Sequence, residues 1–117
     1  KTKYYNYMYD IVDKITIIIR DYCSQNQIKL LFGLGTLKQQ LGPPSTSELV
    51  DYDLPRRRLL KILEKNHINH IDTTEVMLTE HSEAAPVIFE DGHINEKGHK
   101  LFSKILSKEI SNLKWIQ

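Results

Sequence analysis

Cysteine is nearly absent from this 117-residue chain: Cys23 is the single one. It cannot form an internal disulfide, so cysteine usage leaves the compartment undecided. No apolar run is long enough to span a bilayer. No signal-peptide pattern is visible, and a chain that begins at Lys1 is compatible with a mature or trimmed form. Neither sign of charge dominates: 16 basic residues face 15 acidic ones, a net +1. That balance gives no electrostatic reason to expect nucleic acid or an anionic membrane as partner. Nowhere does a Gly-Asp-Ser block or a Gly-x-Ser-x-Gly elbow occur, so no serine is marked as a nucleophile. Internal repeats and low-complexity tracts are missing too.

What is present fits one modest core. Hydrophobic residues make up 40% of the chain, enough for one domain and too few residues for a second. Tyr5, Met8, Val12, Ile15, Ile19 and Tyr22 recur at intervals of three and four, predicting a helix with that face buried, stopped near Asn26. Read alone, the β-branched Ile15–Ile19 would suit a strand, but the longer periodicity favours helix. Tyr4, Tyr5, Tyr7 and Tyr9 crowd its start, in packing or surface roles.

The apolar stretch Ile28–Leu34, ended by Gly33 and Gly35, has the profile of a buried parallel strand. The glycine pair lacks the further residues of a phosphate loop. Gly42–Ser47 is a loop, with Ser45 and Glu48 as a capping box leading toward Tyr52. Ser45, Ser47 and Ser82 read as capping or solvated hydroxyls. Pro55 suits the first turn of a helix that buries Leu59, Leu60, Ile62 and Leu63, while Arg56-Arg57-Arg58 forms its solvated face. A second strand, Ile68–Asp72, follows, and Asp72 caps the turn at Thr73–Met77. Strand, helical crossover, strand is the grammar of a right-handed parallel unit. Pro86 is expected to hold the approach to residue 90 extended. The last helix, from about Glu96 to Asn112, buries Leu101, Phe102, Ile105, Leu106, Ile110 and Leu113, with Trp115 and Ile116 closing the core's edge.

Chemistry concentrates in Glu90-Asp91-Gly92-His93-Ile94-Asn95-Glu96-Lys97-Gly98-His99, which puts an acid and an imidazole in a glycine-containing turn directly ahead of a helix, where both side chains can stand clear of the core. Alternate residues of an extended segment point the same way, so Asp91 and His93 can converge, with Gly92 permitting a bend. A carboxylate beside an imidazole fixes its tautomer and stabilises the imidazolium, as a general base requires. Asn95 reads as the N-cap of the last helix, and Gly98 lets its first turn pack closely. His67, His70, Asp72, His81 and His93 could be drawn together as a metal site, but their spacing matches no zinc signature.

The string Asp91–His99 resembles the last sequence block of the SGNH, or GDSL-like, serine esterase and acylhydrolase family, in which an Asp and a His precede an Asn and a Gly-His pair. The family spacing puts the acid three residues before the His, where this chain has Glu90. Asp91, two residues before the His, is nevertheless the expected acid, with Glu90 as the alternative. Leu37-Lys38-Gln39-Gln40 also resembles a Pro-x-Lys-x-Gln segment of some SGNH-like proteins, without its proline.

The resemblance implies an α/β fold: a partial three-layer, flavodoxin-like α/β/α arrangement with a short parallel sheet flanked by helices. It spans about Tyr5 to Ile110 and corresponds to the family's C-terminal half. Blocks carrying the nucleophilic serine, the oxyanion-hole glycine and the oxyanion-hole asparagine have no counterpart, so the chain looks like half an enzyme. The implied substrate is an acyl or O-acetyl ester, on a carbohydrate or a lipid, with His93 as base and no cofactor or metal. The missing half of the domain, or another copy, would cover the strand edge near Ile28. A non-catalytic α/β interaction module, a degenerate or split relative, is the alternative.

Overall fold

The computed structural model describes residues 2–41 and 51–115. The expected Gly42–Ser47 loop, the Ser45–Glu48 capping box and Ile116 lie outside them. The chain is mixed α/β and mostly helical. In order it forms α1 (Thr2–Gln25), β1 (Phe32–Leu34), α2 (Lys38–Leu41), α3 (Leu54–Lys65), β2 (His70–Asp72) and α4 (Thr73–Glu80). A 3-10 segment (Ser82–Val87), β3 (Phe89–Glu90), β4 (His93–Ile94) and α5 (Glu96–Asn112) complete it. β1 and β2 make a short parallel sheet, and β3 and β4 make an antiparallel hairpin.

Two compact units divide the chain: residues 1–32 with 53–70, and residues 33–52 with 71–117. In the first, α1 and α3 end in the same way. Ile28 N–H donates to the Cys23 carbonyl and Gln27 N–H to that of Ser24; forty residues on, Ile68 N–H donates to Leu63 and His67 N–H to Glu64. Gln27 and His67 take left-handed φ of 58° and 53°. Each set is a Schellman closure, in which one left-handed residue reverses the chain; after α3 the next apolar residue, Ile68, also folds back over the last turn, whereas Ile28 after α1 is 51% exposed. Leu63 and Ile68 are accordingly buried. The shared string Asn-x-Ile, at 26–28 and 66–68, is its sequence trace. Both strands are shorter than expected: Ile28–Leu31 lies outside β1, and Ile68 and Asn69 lie outside β2. The closure uses residues 27–28 and 67–68, so pairing starts only after the reversal.

The helix predicted over α1 forms, but its expected buried face is reversed. Tyr5, Met8, Ile15, Ile19 and Tyr22 are 37–61% exposed, whereas Thr16 and Cys23 are buried. Polar contacts fix this rotation. Asp13 accepts from Lys65 Nζ at 2.5 Å and from Asn66 Nδ2 at 2.6 Å, Arg20 donates to the Asn66 carbonyl at 3.1 Å, and the Arg58 guanidinium lies 5.4 Å from the Tyr9 ring centre. Buried Asn66 would be left with an unmet carbonyl and amide if α1 turned its apolar stripe inward. On α3, Pro55 sits in the first turn, Ile62 and Leu63 are buried, and Arg56 and Arg57 pair with Asp53 at 2.6 and 3.0 Å.

The second unit has a core of Ile71, Met77, Ile88, Phe102 and Ile105, with Leu41, Val76, Phe89, Ile94, Leu101 and Leu106 packed against it. The stripe expected on α5 is therefore the one that faces inward. Asp72 caps α4 by accepting from Thr74 and Glu75 N–H, and Asn95 caps α5 by accepting from Gly98 N–H at 3.0 Å. Pro86 falls in the 3-10 segment rather than an extended one, because a fixed φ near −65° serves a 3-10 turn equally well.

Candidate functional site

Between β3 and β4 stand two residues, Asp91 and Gly92, with φ of 48° and 80°. An Asp-Gly pair with both φ positive is the type I′ loop that matches the twist of a two-stranded hairpin. The register follows: Phe89 pairs with Ile94, and Glu90 with His93. Partners in such a pair share a face of the ribbon, with Cβ atoms about 4.5–5.5 Å apart. Phe89 and Ile94 pack toward the core, so Glu90 and His93 occupy the outer, exposed face.

This geometry corrects the expected way in which Asp91 meets His93. The segment is the glycine-containing turn that the sequence suggests, and within it the side-chain alternation of an extended segment does not hold. His93 Nδ1 lies 3.1 Å from the backbone carbonyl of Asp91. A carbonyl only accepts, so this contact is a hydrogen bond when Nδ1 carries the proton, and in the neutral ring that leaves Nε2 as the acceptor. The acid opposite the ring across the hairpin is Glu90. Among the described residues no serine hydroxyl hydrogen-bonds His93; Ser82 opens the 3-10 segment, and Ser45 and Ser47 lie outside the described residues.

The hairpin is pinned to α5. Asn95 N–H donates to the Ile88 carbonyl at 2.9 Å, closing the ribbon's base at the residue that caps the helix. Gly98 fills the next turn: a Cβ there would stand 2.5 Å from Ile94 Cγ2 and 2.7 Å from the Ile88 oxygen. His93 thus rides on a short ribbon fixed at its base.

Beside the hairpin, on the inner face of β4, a cavity of about 210 Å³ is lined by Gly33, Leu34, Gly35, Thr73, Ile94, His99, Phe102 and Leu106. It is largely apolar, and its one imidazole is that of His99, not His93. Under it runs a buried hydroxyl chain. Thr74 Oγ1 reaches Thr36 Oγ1 at 3.2 Å, Thr36 Oγ1 reaches Thr73 Oγ1 at 2.9 Å, and Thr73 donates to the Leu34 carbonyl. The sequence reading missed both cavity and chain; the adjacent pair Thr73-Thr74 after the capping Asp72 was the available signal.

The other sequence candidates are held in structural roles. His67 is the left-handed residue that closes α3, His70 Nδ1 contacts the Ile68 carbonyl at 2.8 Å, and Asp72 caps α4. No group of three or more His, Cys, Asp or Glu side chains able to hold a metal ion occurs among the described residues. Among the described residues no helix is long and apolar enough to cross a membrane.

Compared with protein-family models, with curated proteins and with solved structures, the chain finds no match.

Proposed function

We propose that the Glu90–Ile94 hairpin supplies the base-and-acid half of a serine-type ester hydrolase site of the SGNH kind, acting on acyl or O-acetyl esters. The observation that carries this reading is the Nδ1 contact of His93 with the Asp91 carbonyl, which leaves Nε2 as an acceptor on an exposed ring. A general base needs that tautomer and that accessibility. The carboxylate best disposed to stabilise the imidazolium is Glu90, across the ribbon, while Asp91 acts through its carbonyl and its turn.

In this scheme His93 Nε2 takes the proton of a serine hydroxyl as the oxygen attacks the ester carbonyl. The proton then passes to the departing alkoxide, leaving an acyl-enzyme that water hydrolyses by the same exchange. The serine and its oxyanion donors come from the polypeptide that carries the family's other blocks. The β1–β2 pair is then part of the larger parallel sheet of a three-layer α/β/α domain, whose strands end at the catalytic edge.

Purified as it stands, the chain is expected to leave p-nitrophenyl acetate at the buffer rate and to escape fluorophosphonate labelling. Joined to a polypeptide bearing the Gly-Asp-Ser block, it should support labelling and turnover, and His93→Ala should lower kcat by about a million-fold, as loss of a triad imidazole does. Turnover by the chain alone that vanishes in His93→Ala would place the nucleophile inside it. Full activity of the joined protein with His93→Ala would end the proposal.

A further inference from the structure

α1 wears its apolar side outward. Tyr4, Met8, Ile11, Ile15, Ile18 and Tyr22 are 68, 46, 39, 48, 66 and 61% exposed. Their spacing is four, three, four, three, four, the alternation that keeps a seam straight along a supercoiled helix pair. The opposite side of the same helix, packed on α3, carries Asp13, Thr16 and Arg20 in fixed hydrogen bonds. The outward seam is therefore locked in place.

We infer that α1 pairs with α1 of a second copy of this chain, antiparallel, along that seam. The exposed area of the six seam residues is on the order of 700 Å², near the ~800 Å² that each partner contributes to a standard stable interface. A helix of 24 residues spans about 36 Å, enough for three heptads. Burial selects the register. Pairing that uses all six sets Tyr4 against Tyr22 of the second copy, Met8 against Ile18 and Ile11 against Ile15, each twice by symmetry. Sliding by one heptad, so that Ile15 faced Ile18, would put Tyr4 and Met8 opposite residues 29 and 25, outside the seam, and lose their share of the burial. The polar residues of α1 are mixed in sign, Asp10, Asp13, Lys14, Arg20 and Asp21, unlike the basic face of a helix that lies on anionic lipid.

Sedimentation equilibrium on the whole chain at tens of micromolar should give twice its 13.7 kDa mass. Ile15→Glu with Ile18→Glu should raise the dissociation constant about a hundred-fold or more, with α1 helicity retained by circular dichroism. Should that variant unfold, the exposed start of the seam decides. Met8→Ser should weaken the dimer roughly five- to ten-fold, and Met8→Leu should leave it within about two-fold. A monomer at these concentrations, a dimer indifferent to both sets of variants, or sedimentation with anionic phosphatidylserine vesicles in place of self-association would each overturn the inference.

Discussion

Replacing Gly98 with Ala sets two effects of opposite sign against each other at one atom. Alanine in a helix is favoured over glycine by at most about 1 kcal/mol, so on propensity alone the variant should be more stable. The added Cβ would stand 2.5 Å from Ile94 Cγ2, 2.7 Å from the Ile88 oxygen and 3.3 Å from Ile88 Cβ. Ile94 could swing its terminal methyl aside, but the Ile88 oxygen is backbone, and it already accepts from Asn95 N–H at 2.9 Å. Relief therefore requires moving the first turn of α5 away from the hairpin. That movement strains the Asn95 cap, itself worth about 1 kcal/mol, and loosens Ile88, which is 2% exposed. Overpacking of this kind costs about 1–3 kcal/mol. The net expectation is a loss of about 1–2 kcal/mol in urea unfolding followed by Trp115 fluorescence, at unchanged denaturant slope. Equal or greater stability of Gly98→Ala would refute the close approach of hairpin and helix on which the placement of His93 rests.

Three further outcomes are expected. His67→Gly should raise thermal stability by about 0.5–1 kcal/mol, because the residue closing α3 sits at φ 53° where a Cβ is penalised; a fall would show that its side chain contributes more than its backbone costs. Asp13 is held below its ordinary 3.8 by hydrogen bonds from Lys65 and Asn66. A depressed folded value contributes stability that is complete above the unfolded pKa and lost as pH falls through the folded one. Melting curves of Asp13→Asn should therefore lie below those of the parent at pH 6 and begin to approach them only as the pH falls below 3.8, toward the depressed folded value. Unchanged separation across that range would refute the ion-pair account of how α1 is oriented. Finally, Asp91→Asn should preserve the His93 Nδ1–H tautomer read from ring ¹⁵N shifts, since Asn-Gly suits the same turn and the accepting atom is the carbonyl. Gly92→Val should disturb it, and a tautomer change in Asp91→Asn alone would return the orienting role to the carboxylate.

Local rules were legible in the chain wherever one residue type answers one backbone need. Asp72 and Asn95 cap helices, Pro55 opens one, and the stripe Phe102, Ile105 and Leu106 faces a core. Each depends on atoms within a turn or two, so composition and spacing suffice. The acid-glycine-imidazole string was legible as a glycine-containing turn, but not as a hairpin: Asp-Gly between short apolar residues specifies a type I′ loop, and the register that follows sets Glu90, rather than the Asp91 carboxylate, opposite the ring.

Periodicity alone indicated a helix from Tyr5 to near Asn26, which the fold forms over Thr2–Gln25, yet not which side of it turns inward. Hydrophobicity favoured the Ile15 side; the fold buries Thr16 and Cys23, and Asp13 and Arg20 on that side satisfy polar groups of Asn66, more than forty residues away in sequence. The same holds for the cavity beside His99 and the threonine chain beneath it, assembled from β1, α4 and α5. Side-chain identity determines what a segment becomes, whereas the partners of its polar atoms, known only once distant segments meet, determine which way it faces.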